Sequence, residues 1–230
     1  MLRIVNMGKV DYGECLMVQQ KLQKLRILDQ CDDTLLLLEH PPVLTKGTRT
    51  IEENILLSEE ELAEKGVSIY ETNRGGDVTY HGPGQIVGYI IMHIDGKNRD
   101  IRQVIKKLAQ VTVNILKNEF NIEGYSDLNK YTGVFVDENK ITAVGIGVNR
   151  RVTMHGFAMN VNTNLSHFDW IVPCGLKDRG VTSIEKLTGR TYDIGKMKQL
   201  IRHEFETLYD TPTYEISKEQ LYNAIGEEYD

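Results

Sequence analysis

The chain has 230 residues, 40% hydrophobic and 26% charged, with a formal net charge of −6. That length suits one domain with a real core and is marginal for two. The acidity excludes bulk binding to nucleic acid, and no apolar run approaches the roughly 20 residues that span a bilayer, so no membrane insertion is expected.

Residues 2–7 read as a first strand. No secretory pattern precedes them, which makes the cytoplasm the expected location. From Asp11 to Asp29 the apolar residues Tyr12, Cys15, Leu16, Leu22, Leu25 and Leu28 recur mostly at helical spacing, with Cys15 as a packing residue. Residues 34–39 form a continuous apolar strand stopped by Pro41 and Pro42. Ser58 and Glu61 make a capping box for a short helix, and residues 67–71 alternate as a strand. An irregular glycine-rich stretch over residues 74–85 leads into a buried strand at 86–94. Asp100 with Gln103 caps a long helix whose apolar face carries Val104, Leu108, Val111 and Ile115. Residues 133–136, 140–148 and 152–161 then read as strands joined by polar turns. Two helices capped by Asp193 and Ser217 close the chain. With no repeat and no linker, the expectation is a single α/β (α+β) domain over residues 1–230, a mixed sheet flanked by helices.

Four segments carry side chains suited to chemistry. Residues 74–89, RGGDVTYHGPGQIVGY, interleave Arg74, Thr79, His81 and Gln85 with glycines. Glycine lets backbone N–H groups approach a bound group closely. The stretch fits neither a phosphate loop nor a dinucleotide fingerprint. Lys140 follows an acidic turn and shares a strand face with Thr142, Val144 and Ile146. If that face is the inner one, Lys140 is held inward and becomes a candidate base. Residues 153–160, TMHGFAMN, read either as a half-exposed histidine beside a glycine bulge or as another wall of the same pocket. Cys174 lies between Pro173 and Gly175, which exclude a regular helix or central strand and present the thiol rather than pack it. The three cysteines, Cys15, Cys31 and Cys174, are too far apart for a disulfide framework or zinc knuckle. The histidines lack metal-ligand spacing, so no metal is expected.

Together these segments resemble the lipoyl(octanoyl) transferase family. Residues 74–89 fit its RGGxxTxHGPGQxxxY signature throughout, residues 140–145 its Lys-Ile motif ending in glycine, residues 153–160 its Thr-x-His-Gly-x-Ala-x-Asn segment, and residues 173–175 its Pro-Cys-Gly. Thr142 stands where the family more often has alanine, which touches pocket shape rather than chemistry. The resemblance implies a fold like the catalytic core of biotin and lipoate protein ligases. It implies octanoyl-acyl carrier protein as donor, and as acceptor a lysine of lipoyl domains, those of 2-oxoacid dehydrogenases or the glycine cleavage H protein. It also implies Cys174 as acyl-thioester nucleophile and Lys140 as its activator. Arg74, Gly75, Gly76, Asp77, Val78, Thr79, Tyr80, His81, Ala143, Val144, Gly145, Gly156, Phe157 and Ala158 would line the acyl site. No cofactor is expected, and the protein is expected to act as a monomer.

This chemistry suits these residue types. A free thiol ionises only near pH ~8.5 and is a poor nucleophile until it does, so a neighbouring amine that takes its proton activates it. Because an acidic enzyme must meet acidic carrier domains, Arg99, Arg102, Lys106, Lys107, Arg150 and Arg151 are the candidate docking cations, though a solvated charged face explains each as well. Two rival readings fit the same segments: an ATP-dependent lipoate–protein ligase, which needs no cysteine, and a non-catalytic acyl-binding protein, which needs neither Lys140 nor Cys174.

Overall fold

The sheet grows from strand segments whose inward faces are almost wholly apolar. A computed structural model of the chain describes residues 1–95, 100–128, 131–172 and 179–227. Its strands are β1 (Leu2–Lys9), β2 (Asp33–Glu39), β3 (Val43–Lys46), β4 (Ser68–Glu71), β5 (Thr79–His81), β6 (Gln85–Ile91), β7 (Tyr125–Asp127), β8 (Gly133–Val136), β9 (Asn139–Asn149), β10 (Val152–Asn160) and β11 (Thr213–Glu215). The helices are α1 (Tyr12–Ile27), α2 (Glu59–Glu64), α3 (Ile101–Phe120), α4 (Ile184–Thr188), α5 (Ile194–Tyr209) and α6 (Lys218–Ala224). Short 3-10 turns occupy Glu52–Asn54 and Leu165–Trp170.

Eight strands form one mixed sheet in the order β11-β1-β2-β6-β10-β9-β8-β7. β1 runs parallel to β2 and β11, and the remaining neighbours are antiparallel. One face buries Leu35, Ile90, Phe157 and Met159 under α3 and α5, whose apolar stripes supply Leu108, Ile115, Ile201 and Phe205. The other face buries Leu36, Val87, Tyr89 and Ile91 under α1 and α6. Such two-sided burial explains why β2 and β6 read as continuous apolar runs rather than alternating ones. No helix among the described residues is long and apolar enough to cross a membrane.

The expected caps are present where local chemistry dictates them: capping boxes at Ser58/Glu61 and Ser217/Gln220, and Asp100 and Asp193 accepting from Gln103 N–H and Lys196 N–H. Three readings need correction. Leu28 is not on the buried face of α1; it is the C-cap residue and is 56% exposed. The helix buries Gln19 and Gln23 instead. Their amides meet β10: Gln19 Oε1 accepts from His155 N–H at 3.0 Å, and Gln23 Nε2 donates to the Val152 carbonyl at 3.0 Å. The glycine-rich stretch is not wholly irregular, because Thr79–His81 pairs with β3 in a second, three-stranded sheet ordered β4-β3-β5. Finally, His155 is 1% exposed, not half-exposed, and the left-handed backbone (φ 65) falls on the histidine itself.

Candidate active site

The small sheet lays the glycine-rich loop against β9. Gly75 N–H donates to the Ile146 carbonyl at 3.1 Å. A Cβ on Gly145 would stand 3.0 Å from the Gly75 carbonyl oxygen, so a side chain there would push the loop away. Arg74 is buried and its guanidinium is held by β3, donating from Nη2 to the Thr45 carbonyl at 2.6 Å and from Nε and Nη2 to the Thr45 hydroxyl at 3.2 and 3.0 Å. The buried Asp77 carboxylate accepts from Ile51 N–H at 3.2 Å, Val78 N–H at 2.7 Å and the Asn54 amide. It thereby ties the 3-10 turn at Glu52–Asn54 to the loop.

Alternation along β5 then sorts the motif. Arg74, Gly75, Gly76, Asp77, Thr79 and His81 line a cavity of about 420 Å³, together with Lys140, Ala143, Val144, Gly145, Gly156, Phe157 and Ala158. A volume of that order suits a small-molecule site, typically ~300–1,000 Å³. Val78 and Tyr80 take the opposite face and pack with Leu44, Phe168 and Ile171 in a separate small core. Their contribution is to fix the strand that carries Thr79 and His81. Tyr12, Arg49, Ile51, Ile105, Tyr131, Thr132 and Ile146 also line the cavity. Ile146 continues the β9 stretch that carries Lys140, whereas the other six come from four separate stretches of chain that no motif in the sequence marks.

Lys140 is 5% exposed although it lies next to a turn. Its side chain crosses the face of Phe135, with Nζ 5.3 Å from the ring centroid. Gly133 makes the space: a Cβ there would sit 3.3 Å from Lys140 Cε and 2.3 Å from the Thr142 carbonyl oxygen. Backbone conflict of that kind cannot relax by a rotamer change. Gly133→Ala is expected to lower unfolding free energy by about 1–3 kcal/mol or more in urea titration, and to lower activity beyond that by displacing Lys140.

Burial also fixes the ionisation of the histidines. Desolvation lowers His81 to about 3, helped by Arg74 and by His40 once that ring is itself protonated, and lowers His155 to about 3, helped by Arg74. His40 falls to about 4 for the same reason, opposed by its bond to the Val10 carbonyl. All three are therefore neutral at physiological pH. Burial raises the phenols of Tyr12 and Tyr89 far above their ordinary range, so these too stay neutral. The cavity's fixed positive charge comes from Arg49 and Arg74, an arrangement that favours a carbonyl oxygen gaining negative charge.

Cys174 lies outside the described residues, and so does Arg99. The chain on either side of residues 173–178 is described. Val172 N–H donates to the Asn54 carbonyl at 2.7 Å, beside the Asp77 anchor. On the far side, Lys140 N–H donates to the Gly180 carbonyl and Thr182 N–H to the Lys140 carbonyl, both at 2.9 Å. One flank thus bonds the lining residue Lys140 directly, and the other bonds Asn54, whose side chain holds the lining residue Asp77.

Comparison with known proteins agrees with this architecture. Residues 11–206 match the family described as lipoyl protein ligase A/B catalytic domain. An octanoyltransferase of Caldicellulosiruptor saccharolyticus is 49% identical over 97% of this chain and 95% of its own length. An octanoyltransferase of Desulforamulus reducens is 45% identical over 99% of each chain. Among solved structures, a lipoate-protein ligase A bound with ATP superposes with a TM-score of 0.75 at 16% identity, covering 98% of this chain and 93% of that one. A bipartite lipoate protein ligase studied with its E2 lipoyl domain, from Thermoplasma acidophilum, gives 0.73 at 14% identity over 97% and 90%. Biotin protein ligase from Aquifex aeolicus gives 0.52 at 12% identity over 91% and 69%. These structural likenesses establish the fold, and the close sequence relatives establish the rest: the chain belongs to the octanoyltransferase family, within the lipoyl protein ligase A/B catalytic domains.

Proposed function

We propose that this acyltransferase moves an octanoyl group from octanoyl-acyl carrier protein to a lysine of a lipoyl domain, by way of a thioester on Cys174, acting as a cytoplasmic monomer. The observation that carries the reading is a buried lysine, Lys140, at the wall of a cavity, bonded through its backbone to Gly180 and Thr182 just beyond the Cys174 segment.

In the first half-reaction the Cys174 sulfur, its proton taken by Lys140, attacks the carbonyl of the donor thioester. The bond from that carbonyl to the pantetheine sulfur breaks, and Lys140 returns the proton to the departing thiol. In the second half the ε-amine of the acceptor lysine attacks the Cys174 thioester. An amide forms, the carbon–sulfur bond breaks, and the proton lost by the amine passes through Lys140 to the cysteine sulfur. A thioester and an amine become an amide and a thiol, which is downhill without nucleotide. The apolar walls Ile51, Ile105, Val144, Ile146 and Phe157 suit the acyl chain. Burying roughly seven methylene or methyl groups at ~0.8 kcal/mol each contributes on the order of 5 kcal/mol.

Carrier docking falls to cations near the cavity. Arg102 and Lys106 are exposed on α3, beside the lining residue Ile105, whereas Lys107 lies over the Tyr209 ring at 4.7 Å. Arg150 and Arg151 are exposed at the β9–β10 turn, and Arg49 is exposed at the cavity edge.

The reading is tested by assaying octanoyl transfer to a lipoyl domain with and without ATP, using wild type and Cys174→Ser. Transfer from octanoyl-acyl carrier protein without ATP, lost in Cys174→Ser, is expected. Dependence on ATP would favour a ligase, and transfer retained in Cys174→Ser would remove the thioester.

A further inference from the structure

The glycine-rich motif and Lys140 are joined by an oriented chain of buried side chains. Arg74 has only donors, so the Thr45 hydroxyl that accepts from it turns its own proton toward His81 Nε2, a long contact of 3.4 Å. Neutral His81 then carries its proton on Nδ1 and donates to Gln85 Oε1 at 2.7 Å. The Gln85 amide nitrogen donates to the Tyr80 carbonyl at 3.2 Å and to Asn160 Oδ1 at 2.9 Å. Asn160 Nδ2 in turn donates to the Thr182 carbonyl at 3.0 Å. Each assignment forces the next, and the chain ends on the stretch whose backbone brackets Lys140.

Asn160 and Thr182 are 4% and 3% exposed. Asn160 also borders a small internal cavity together with Thr79, Lys140 and Val181. Loss of its amide would leave the buried Thr182 carbonyl without that donor, a cost of about 1–3 kcal/mol that the stretch can escape only by moving. Gln85 would keep its bond to the Tyr80 carbonyl.

We propose that Asn160 is a positioning residue for the acyl transfer, fastening Gly180–Thr182 against Lys140 so that the lysine amine is held at the cavity wall. Asn160 touches neither the acyl group nor the reacting atoms; it acts through Thr182 and Lys140. The proposal rests on the pairing of Lys140 with Cys174 put forward above.

The test is the pH dependence of Cys174 alkylation by iodoacetamide, read by peptide mass so that Cys15 and Cys31 are scored separately, in wild type, Lys140→Met and Asn160→Ala. Wild type should show a midpoint below the ~8.5 of a free thiol, and Lys140→Met should raise it. Asn160→Ala should raise it by about half a unit or more and lower kcat roughly tenfold to a hundredfold with KM nearly unchanged. A residue with a merely structural role would lower the melting temperature and leave the alkylation midpoint where it was. Asn160→Ser, which keeps a short donor, gives the same reading at smaller amplitude if the alanine variant does not fold. An Asn160 variant with wild-type midpoint and kcat overturns the proposal while leaving the Lys140–Cys174 pairing intact. A wild-type midpoint at the free-thiol value, unmoved by Lys140→Met, would refute the pairing and the role of Asn160 with it.

Discussion

Lys140→Met should lower the rate of octanoyl transfer roughly 10²- to 10⁴-fold, the range that removal of a positioned acid–base group commonly produces. Methionine keeps most of the lysine's length and packs against Phe135, whose ring already lies 5.3 Å from Nζ. Folding should therefore survive. Among the described residues no carboxylate forms an ion pair with Lys140, so the substitution strands no buried acid there. The loss should appear in kcat and in kcat/KM alike, because the group acts in the transition state rather than in holding the acyl chain. Single-turnover measurement of both half-reactions should show both slowed. A variant within a few-fold of wild type would mean that another group moves the proton.

The second large effect is on stability in mild acid. His40, His81 and His155 are held neutral in the folded protein, at about 4, about 3 and about 3 respectively, by burial first and by nearby positive charge at His81 and His155. In the unfolded chain each returns to about 6.5. A folded value below the unfolded one means that stability is fully present above pH ~6.5 and is lost as the pH falls, until the folded groups themselves protonate near 4 and 3. Each site contributes up to about 1.4 kcal/mol per pH unit in that interval. Urea unfolding between pH 6.5 and 5, where ordinary carboxylates (~3.9–4.3) remain mostly ionised, should therefore reveal a loss of several kcal/mol. A flat profile over that interval would mean that one or more of these rings is charged or solvated in the folded state.

How far the sequence reaches depends on how local the determining contacts are. The caps at Ser58, Asp100, Asp193 and Ser217 need only residues a few positions apart, and all four are in place. Plain alternation would set Lys140 on the face of Thr142, Val144 and Ile146, but a register shift between Val134 and Phe135 pairs Thr142 with Val134 and Lys140 with Phe135, so Lys140 is buried on the opposite face, beside Ala143 and Ala158. Thr79 and His81 were separable from Val78 and Tyr80 only once β5 was seen to be a strand. Three residues are too short to show a period, and their pairing partner β3 lies more than thirty positions earlier. The burial of Gln19 and Gln23 has no local signal, because the partners of their amides sit on β10, far along the chain. Arg49, Tyr12 and Ile105 reach the cavity only through tertiary packing. Asn160 closed a recognisable motif, but its link to Lys140 passes through Thr182, which no spacing rule connects to either.

The central claim is that an acyl group rests on the Cys174 sulfur between donor and acceptor. Intact-mass analysis after incubation with octanoyl-acyl carrier protein, without acceptor, tests it most directly. One added octanoyl group, removed by hydroxylamine and not acquired by Cys174→Ala, is expected. An enzyme that transfers octanoate while its mass never changes, or that acquires the group equally in Cys174→Ala, would contradict it.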